Sequence, residues 1–215
     1  MVAKVASLEL FKNDSLLFKP GSDFSYTSYG YVLLSAAIES AAGEDFPTAM
    51  RELVFAPLGL FNTYEERVGM DAQHQATFYD YQGRPEDGNV IEAPFVDHSS
   101  KWAGGGFLST AEDLVRFASA HLHEGFLHAE TLKMMFTVNS RRSIIDGYGL
   151  GWMLARDLRF RKACFHFGAT FGGTALLVIY PKQKVCIALL ANLGHARFPF
   201  SQIMGIVNPF LAAAE

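Results

Sequence analysis

The chain is poor in cysteine: Cys164 and Cys186 are the only two among 215 residues. No disulfide framework can rest on them, and two lone thiols are ordinarily core residues. Both fall in or beside predicted strands, so they are candidates for neighbours in one sheet, and they leave the compartment open. No stretch of eighteen or more apolar residues exists, which predicts no membrane span. No Lys/Arg cluster argues for an anionic membrane either. With a net charge of −4 and both signs spread along the chain, neither nucleic acid nor anionic membrane is expected as a partner. Met1 to Leu10 lacks the apolar core and small-residue cleavage site of a signal peptide. Internal repeats, low-complexity segments and interdomain linkers are missing too, so residues 1–215 are expected to form one domain. What the chain has is core: 50% hydrophobic and 19% charged residues, a globular composition long enough for a sizeable interior.

Taken in order, Lys12 to Asp23 is rich in turn formers. From Tyr31 the positions Leu34, Ile38 and Ala41 keep helical spacing up to a Gly43 stop, with Thr27 or Ser28 as cap. Pro47 suits the first turn of a second helical run, Phe46 to Phe55, which Pro57 and Gly59 are expected to end. Residues 76–94 read as a hairpin with its tip at Arg84 to Gly88. Gly104 to Gly106 demand a close-packed backbone. Thr110 and Asp113 read as a capping box for a helix whose apolar face is Leu114, Phe117, Ala118 and Leu122. His123 and His128 are spaced by five, not by the four that sets two metal ligands on one helix face. With His121 they read as surface histidines, and no metal or cofactor is expected. Glu130 to Phe136 reads as a short helix, Tyr148 to Leu154 as one strand with interior glycines, and Pro199 to Leu211 as a terminal helix bent or ended at Pro209.

The most informative stretch is Phe165 to Pro181, FHFGATFGGTALLVIYP. Its β-forming run Thr174 to Tyr180 is split from Val185 to Leu190 by a proline-containing polar turn, which predicts a hairpin. Gly168, Gly172 and Gly173 precede the first run, and His166 stands two residues before them. These residues fit two readings: a site where a ligand approaches an exposed backbone, or a glycine-rich turn leading into a core strand. The second is the commoner.

The order of the motifs narrows the choice. Phe24, Tyr26, Ser28, Gly30 and Tyr31 open a helix; a glycine run leads into Ser-Thr-x-x-Asp-Leu (Gly104 to Leu114); Tyr148 to Trp152 reads Tyr-Gly-x-Gly-Trp; His166 to Gly168 reads His-x-Gly. From about Leu10 to Asn192 this resembles the serine β-lactamase-like family of class C β-lactamases, penicillin-binding carboxypeptidases and esterases, and within it the animal mitochondrial branch. The resemblance implies an α+β fold, a partial β-lactamase/transpeptidase-like domain with an antiparallel sheet flanked by helices. It implies that Tyr26 exchanges protons with the reacting groups. A phenol has a pKa near about 10, so cations must favour its ionised form for that role. His166 matches the first position of the family's Lys/His-Thr/Ser-Gly motif and helps by charge or by hydrogen bonding. Gly168 closes that motif. Ala169 matches the strand residue whose N–H serves the oxyanion hole, a donor worth about 3 kcal/mol in the transition state.

The chain also departs from the pattern. The family's nucleophile is the serine of Ser-x-x-Lys, and none of the eight lysines here has serine three residues before it. No Gly-x-Ser-x-Gly replaces it. In the family that motif lies N-terminal to Tyr26, so the chain reads as the C-terminal part of a β-lactamase-related domain, inactive by the family route when taken alone. Ser28 stands where an asparagine is usual and keeps only a hydroxyl for holding substrate. Phe167 stands where a threonine or serine binds a substrate carboxylate, which points to peptides or esters over β-lactams. Two functions follow: part of an acyl-enzyme serine hydrolase acting on a peptide or ester, or a non-catalytic homo-oligomer or filament on a hydrolase scaffold. A mitochondrial location is implied by the resemblance only.

Overall fold

Short-range signals set most element boundaries. The computed structural model describes residues 7–70, 75–138 and 147–214, so residues 1–6 of the opening segment Met1–Leu10 lie outside it. The chain gathers into two compact units, Met1–Gln75 with Val96–Asp113 and Ala76–Phe95 with Leu114–Glu215.

In the first unit, helix α1 (Ser28–Ala42) starts because Thr27 accepts a hydrogen bond from the Tyr29 N–H at 3.2 Å, and ends at Gly43 with φ +76°. Its packed side differs from the expected one. Leu34 and Ile38 are exposed, whereas Val32 and Ser35 are buried, with the Ser35 hydroxyl donating to the Val32 carbonyl at 2.7 Å. Helix α2 (Phe46–Met50) is capped by Asp45, whose carboxylate accepts from the Thr48 N–H at 3.2 Å. It runs on through a wide π turn, Arg51–Phe55, into a last turn, Ala56–Leu58, closed at Gly59. Pro57, expected to end the run, stands inside that last turn. The π turn shifts the hydrogen-bond register, so Pro57 takes a first-turn position where its missing N–H costs nothing. Phe46 and Phe55 pack on Phe107, with ring centroids 6.1 and 5.4 Å apart. Phe107 lies in a two-residue strand paired with Tyr64–Glu65.

The glycine run forms a single turn, α3 (Trp102–Gly105). A Cβ on Gly104 would stand 3.5 Å from Ser28, and one on Gly106 would stand 2.8 Å from Trp102 and 2.9 Å from His98. Absent side chains thus let α3 lie against the start of α1, which is why the small-residue side of α1 is the packed one. Helix α4 (Ala111–Ser119) is capped by the Thr110 hydroxyl, which accepts from the Asp113 N–H at 3.2 Å. The Asp113 carboxylate turns instead to the Asn62 N–H at 2.8 Å and the Thr63 hydroxyl at 2.9 Å, tying a loop to the helix.

The second unit is built on a five-stranded antiparallel sheet in the order β1 (Gly147–Tyr148), β2 (Met153–Arg156), β3 (Lys162–Thr170), β4 (Gly173–Tyr180), β5 (Val185–Ala191). One face packs Trp152, Leu154, Cys164, Leu177 and Ile179 against Phe117 and Ala118 of α4 and against Phe136, which ends α5 (Ala129–Met135). The other face packs Ala163 and Tyr180 against Val207 and Leu211 of α6 (Phe200–Ala213). An antiparallel sheet flanked by helices is the α+β arrangement expected. The hairpin Tyr79–Tyr81 with Val90–Glu92 and the β4–β5 hairpin also stand where the sequence puts them.

Several readings need correction. Tyr148 to Leu154 is a hairpin and not one strand: the Gly149 N–H donates to the Trp152 carbonyl at 2.8 Å. A Cβ on Gly149 would lie 2.0 Å from the Met135 carbonyl oxygen, so only glycine fits there, and the turn itself is Leu150-Gly151, with Gly151 at φ +78°. The stretch Phe165 to Pro181 holds a second hairpin, β3–β4. Gly168 lies within β3, and the turn is Phe171-Gly172, with Gly172 at φ +74°. Helix α6 continues through Pro209 to Ala213. Cys164 and Cys186 sit opposite Ile179 from its two sides, so β4 separates the two free thiols. His121 is buried, its Nδ1 2.8 Å from the Phe117 carbonyl and its ring edge-on to Trp152.

Candidate active site

Four of the six residues singled out in the sequence, His166 to Ala169, are consecutive on β3. Alternation along the strand sends Cys164, His166 and Gly168 to the α4 face, and Ala163, Phe165, Phe167 and Ala169 to the α6 face. The Phe167 side chain therefore leaves the sheet on the side opposite His166, and it is 43% exposed. An apolar wall beside His166 does not follow from it. What the substitution removes is the hydroxyl.

The backbone of this segment is more telling than its side chains. A two-residue turn makes Thr170 and Gly173 exchange both main-chain hydrogen bonds, so Gly168 and His166 bond to β4 in the same way. By the same alternation, the N–H and C=O groups of Phe167 and Ala169 point to the other edge of β3. On that edge β2 accompanies β3 only from Lys162 to Phe165. Beyond Phe165 the edge presents the Ala169 N–H and the Phe167 carbonyl where β2 does not reach. A strand edge of this kind can hydrogen-bond an extended substrate or a developing oxyanion.

His166 is partly buried, and its Nε2 lies 3.1 Å from the hydroxyl of Tyr148 on β1, with the rings edge-to-face. Burial pushes the His166 pKa below its ordinary 6.5, against a smaller opposite effect from a backbone hydrogen bond at Phe167. The imidazole is therefore neutral at pH 7. Tyr148 was not singled out in the sequence as a site residue, although it opens the Tyr-Gly-x-Gly-Trp segment. Reading Gly149-Leu150-Gly151 as a turn would have placed it on a strand near His166.

In the first unit, Tyr26 lies in the loop before α1 and is 53% exposed, and Ser28 is the exposed first residue of that helix. Burial, and next the neighbouring Tyr31 phenol, raise the Tyr26 pKa above 10.0. Tyr26 is thus held as a phenol, opposite to the ionised form its expected role calls for. Neither cysteine replaces the missing nucleophile. Burial pushes the Cys164 thiol up to about 11, and the Cys186 thiol is raised too. Among the described residues, no group of three or more His, Cys, Asp or Glu is placed to hold a metal ion, and no helix is long and apolar enough to cross a membrane.

The mouse serine beta-lactamase-like protein LACTB, mitochondrial, is 33% identical over 205 residues, covering 83% of this chain and 36% of the relative. The putative D-alanyl-D-alanine carboxypeptidase of Escherichia coli K12 is 28% identical over 226 residues, covering 90% of this chain and 50% of the relative. In fold, the octameric penicillin-binding protein homologue of Pyrococcus abyssi superposes with a TM-score of 0.81 at 23% identity, over 96% of this chain and 47% of that one. The chain spans between about a third and a half of the length of these relatives. A family model described as Beta-lactamase matches residues 4–203. With that match and those relatives, the chain belongs to the Beta-lactamase family, serine hydrolases akin to the penicillin-binding proteins and D-alanyl-D-alanine carboxypeptidases.

Proposed function

We propose that this chain supplies the proton-transfer and oxyanion-binding groups of an acyl-enzyme hydrolase that acts on peptides or esters. The observation that carries the reading is the β3 edge beyond Phe165, where the Ala169 N–H points past the end of β2, on a chain of the Beta-lactamase family. Tyr26 exchanges protons with nucleophile and leaving group, and a cation beside it must offset the influences that keep it a phenol. His166 acts as a neutral hydrogen-bonding group, the Ala169 N–H receives the oxyanion, and Ser28 and Gly168 line the substrate. The covalent step needs the serine and lysine of Ser-x-x-Lys, which the sequence lacks, so the 215 residues by themselves do not turn over substrate. The missing hydroxyl at Phe167 weakens the hold on a β-lactam carboxylate. The natural protein, purified from its own source, is therefore expected to hydrolyse p-nitrophenyl esters or short peptides far faster than a chromogenic cephalosporin. Rapid cephalosporin turnover would overturn that preference. A mitochondrial location is part of this reading and rests on the likeness to LACTB.

A second reading is assembly without catalysis. It is favoured by β5, an uncharged strand of seven residues at the end of the sheet order, all partly or fully exposed. Among the described residues no strand pairs with its outer edge, although Tyr79 bonds to Asn192 and Gly194 just past its end; an apolar edge of that length is a template for pairing with another chain. The octameric state of the Pyrococcus abyssi homologue is compatible with it.

A further inference from the structure

Tyr148 is 8% exposed, yet its hydroxyl meets a ring nitrogen on a strand two places away in the sheet. A neutral imidazole carries one N–H and one lone pair, and its partners decide which nitrogen holds the proton. On the main-chain side, the ring makes a backbone hydrogen bond at Phe167 that favours the charged ring. A carbonyl acceptor has that effect, and a backbone N–H would have the opposite one. Nδ1 is the nitrogen nearer the main chain, so a bond to the Phe167 carbonyl puts the proton there and leaves Nε2 as an acceptor facing a phenol O–H.

We infer that Tyr148 is a positioning residue: its buried hydroxyl donates to Nε2 of His166 and so sets the imidazole as the Nδ1–H tautomer, turned to the Phe167 main chain. Through that ring it steadies the segment of β3 whose Phe167 carbonyl and Ala169 N–H share the edge not covered by β2. His166 then contributes a fixed hydrogen bond and not a positive charge, which decides between the two kinds of help the sequence allowed. The catalytic significance of the pair rests on the hydrolase reading; the pairing itself does not.

The experiment is long-range proton–nitrogen correlation NMR on the uniformly labelled chain near pH 7.5. His166 is expected as the Nδ1–H tautomer with a bare Nε2, titrating below 6.5. Tyr148→Phe is expected to give a mixture of tautomers and an upward shift of that titration. An Nε2–H tautomer in the unaltered chain overturns the inference, and this spectrum decides even if the variant fails to fold. An unchanged tautomer and titration in Tyr148→Phe overturns it as well. Turnover is scored separately: in the natural protein Tyr148→Phe should lower kcat about tenfold and leave KM in place. Absence of any ester or peptide hydrolysis would sink the hydrolase reading, while the NMR result would still judge the pairing.

Discussion

Protons are governed residue by residue in this protein, mostly by burial. His98, His121 and His166 are all held below 6.5, with burial the largest cause in each. As the pH falls below that value, the unfolded chain binds protons that the folded chain refuses, so stability declines in that direction. Asp157 extends the trend at lower pH. Burial alone would raise it, but hydrogen bonds from Arg161 and Arg159 leave it below 3.8. The urea midpoint should therefore drop steadily from pH 7.5 to 5.5, and a flat profile would contradict these assignments. Among the candidate site residues, Tyr26, His166 and Ala169 stand in ordered motifs, which is what makes them candidates. The state of Tyr26 was not legible in the sequence: the shift depends on how deeply the phenol is shielded and on Tyr31, which no motif encodes.

At the scale of elements, close approach decides which glycines matter. Gly172 combines φ +74° with a space in which a Cβ would lie 2.6 Å from Phe78 and 2.7 Å from Ala93. Gly172→Ala should therefore cost about 2–3 kcal/mol, from overpacking together with a strained left-handed backbone. A denaturation midpoint within error of the parent would show that the Tyr79–Tyr81 hairpin does not dock on the β3–β4 turn. Between β2 and β3, the Asp157 carboxylate takes the Arg161 Nε–H at 2.7 Å, and Arg161 reaches Asn208 of α6 at 2.8 Å, both charges almost wholly buried. Removing one partner strands the other, so Asp157→Ala should cost about 3–5 kcal/mol. Chemical denaturation checks this; a loss under 1 kcal/mol would refute it. Helix limits such as Thr27 and Gly43 were readable because caps are local. The buried side of α1 was not, since α3, more than sixty residues on, selects it. The β1–β2 turn was missed because Gly149 and Gly151 sit inside a run that reads as continuous strand, whereas the turn at Gly172 matches the glycine-rich turn into a core strand that the sequence offered.

For the whole molecule, the open question is what meets the β5 edge. The register passes from β3–β4 to β4–β5 so that Val185, Ile187, Leu189 and Ala191 bond to β4, while the N–H groups of Cys186, Ala188 and Leu190 point outward. Exposed Leu33, Leu34, Ile206 and Phe210 add apolar surface. The 215-residue chain should self-associate in light scattering at micromolar concentration. Ala188→Pro, which removes an outward N–H without touching the β4 ladder, should reduce that association; unchanged scattering would clear the β5 edge of a part in it. The central claim, that this family scaffold performs acyl transfer through Tyr26, is tested most directly by ester hydrolysis. The natural protein and its Tyr26→Phe variant are compared under identical conditions. The account predicts a fall in kcat of about 100-fold or more with the fold intact. Near-normal turnover would contradict it and leave assembly as the function to pursue.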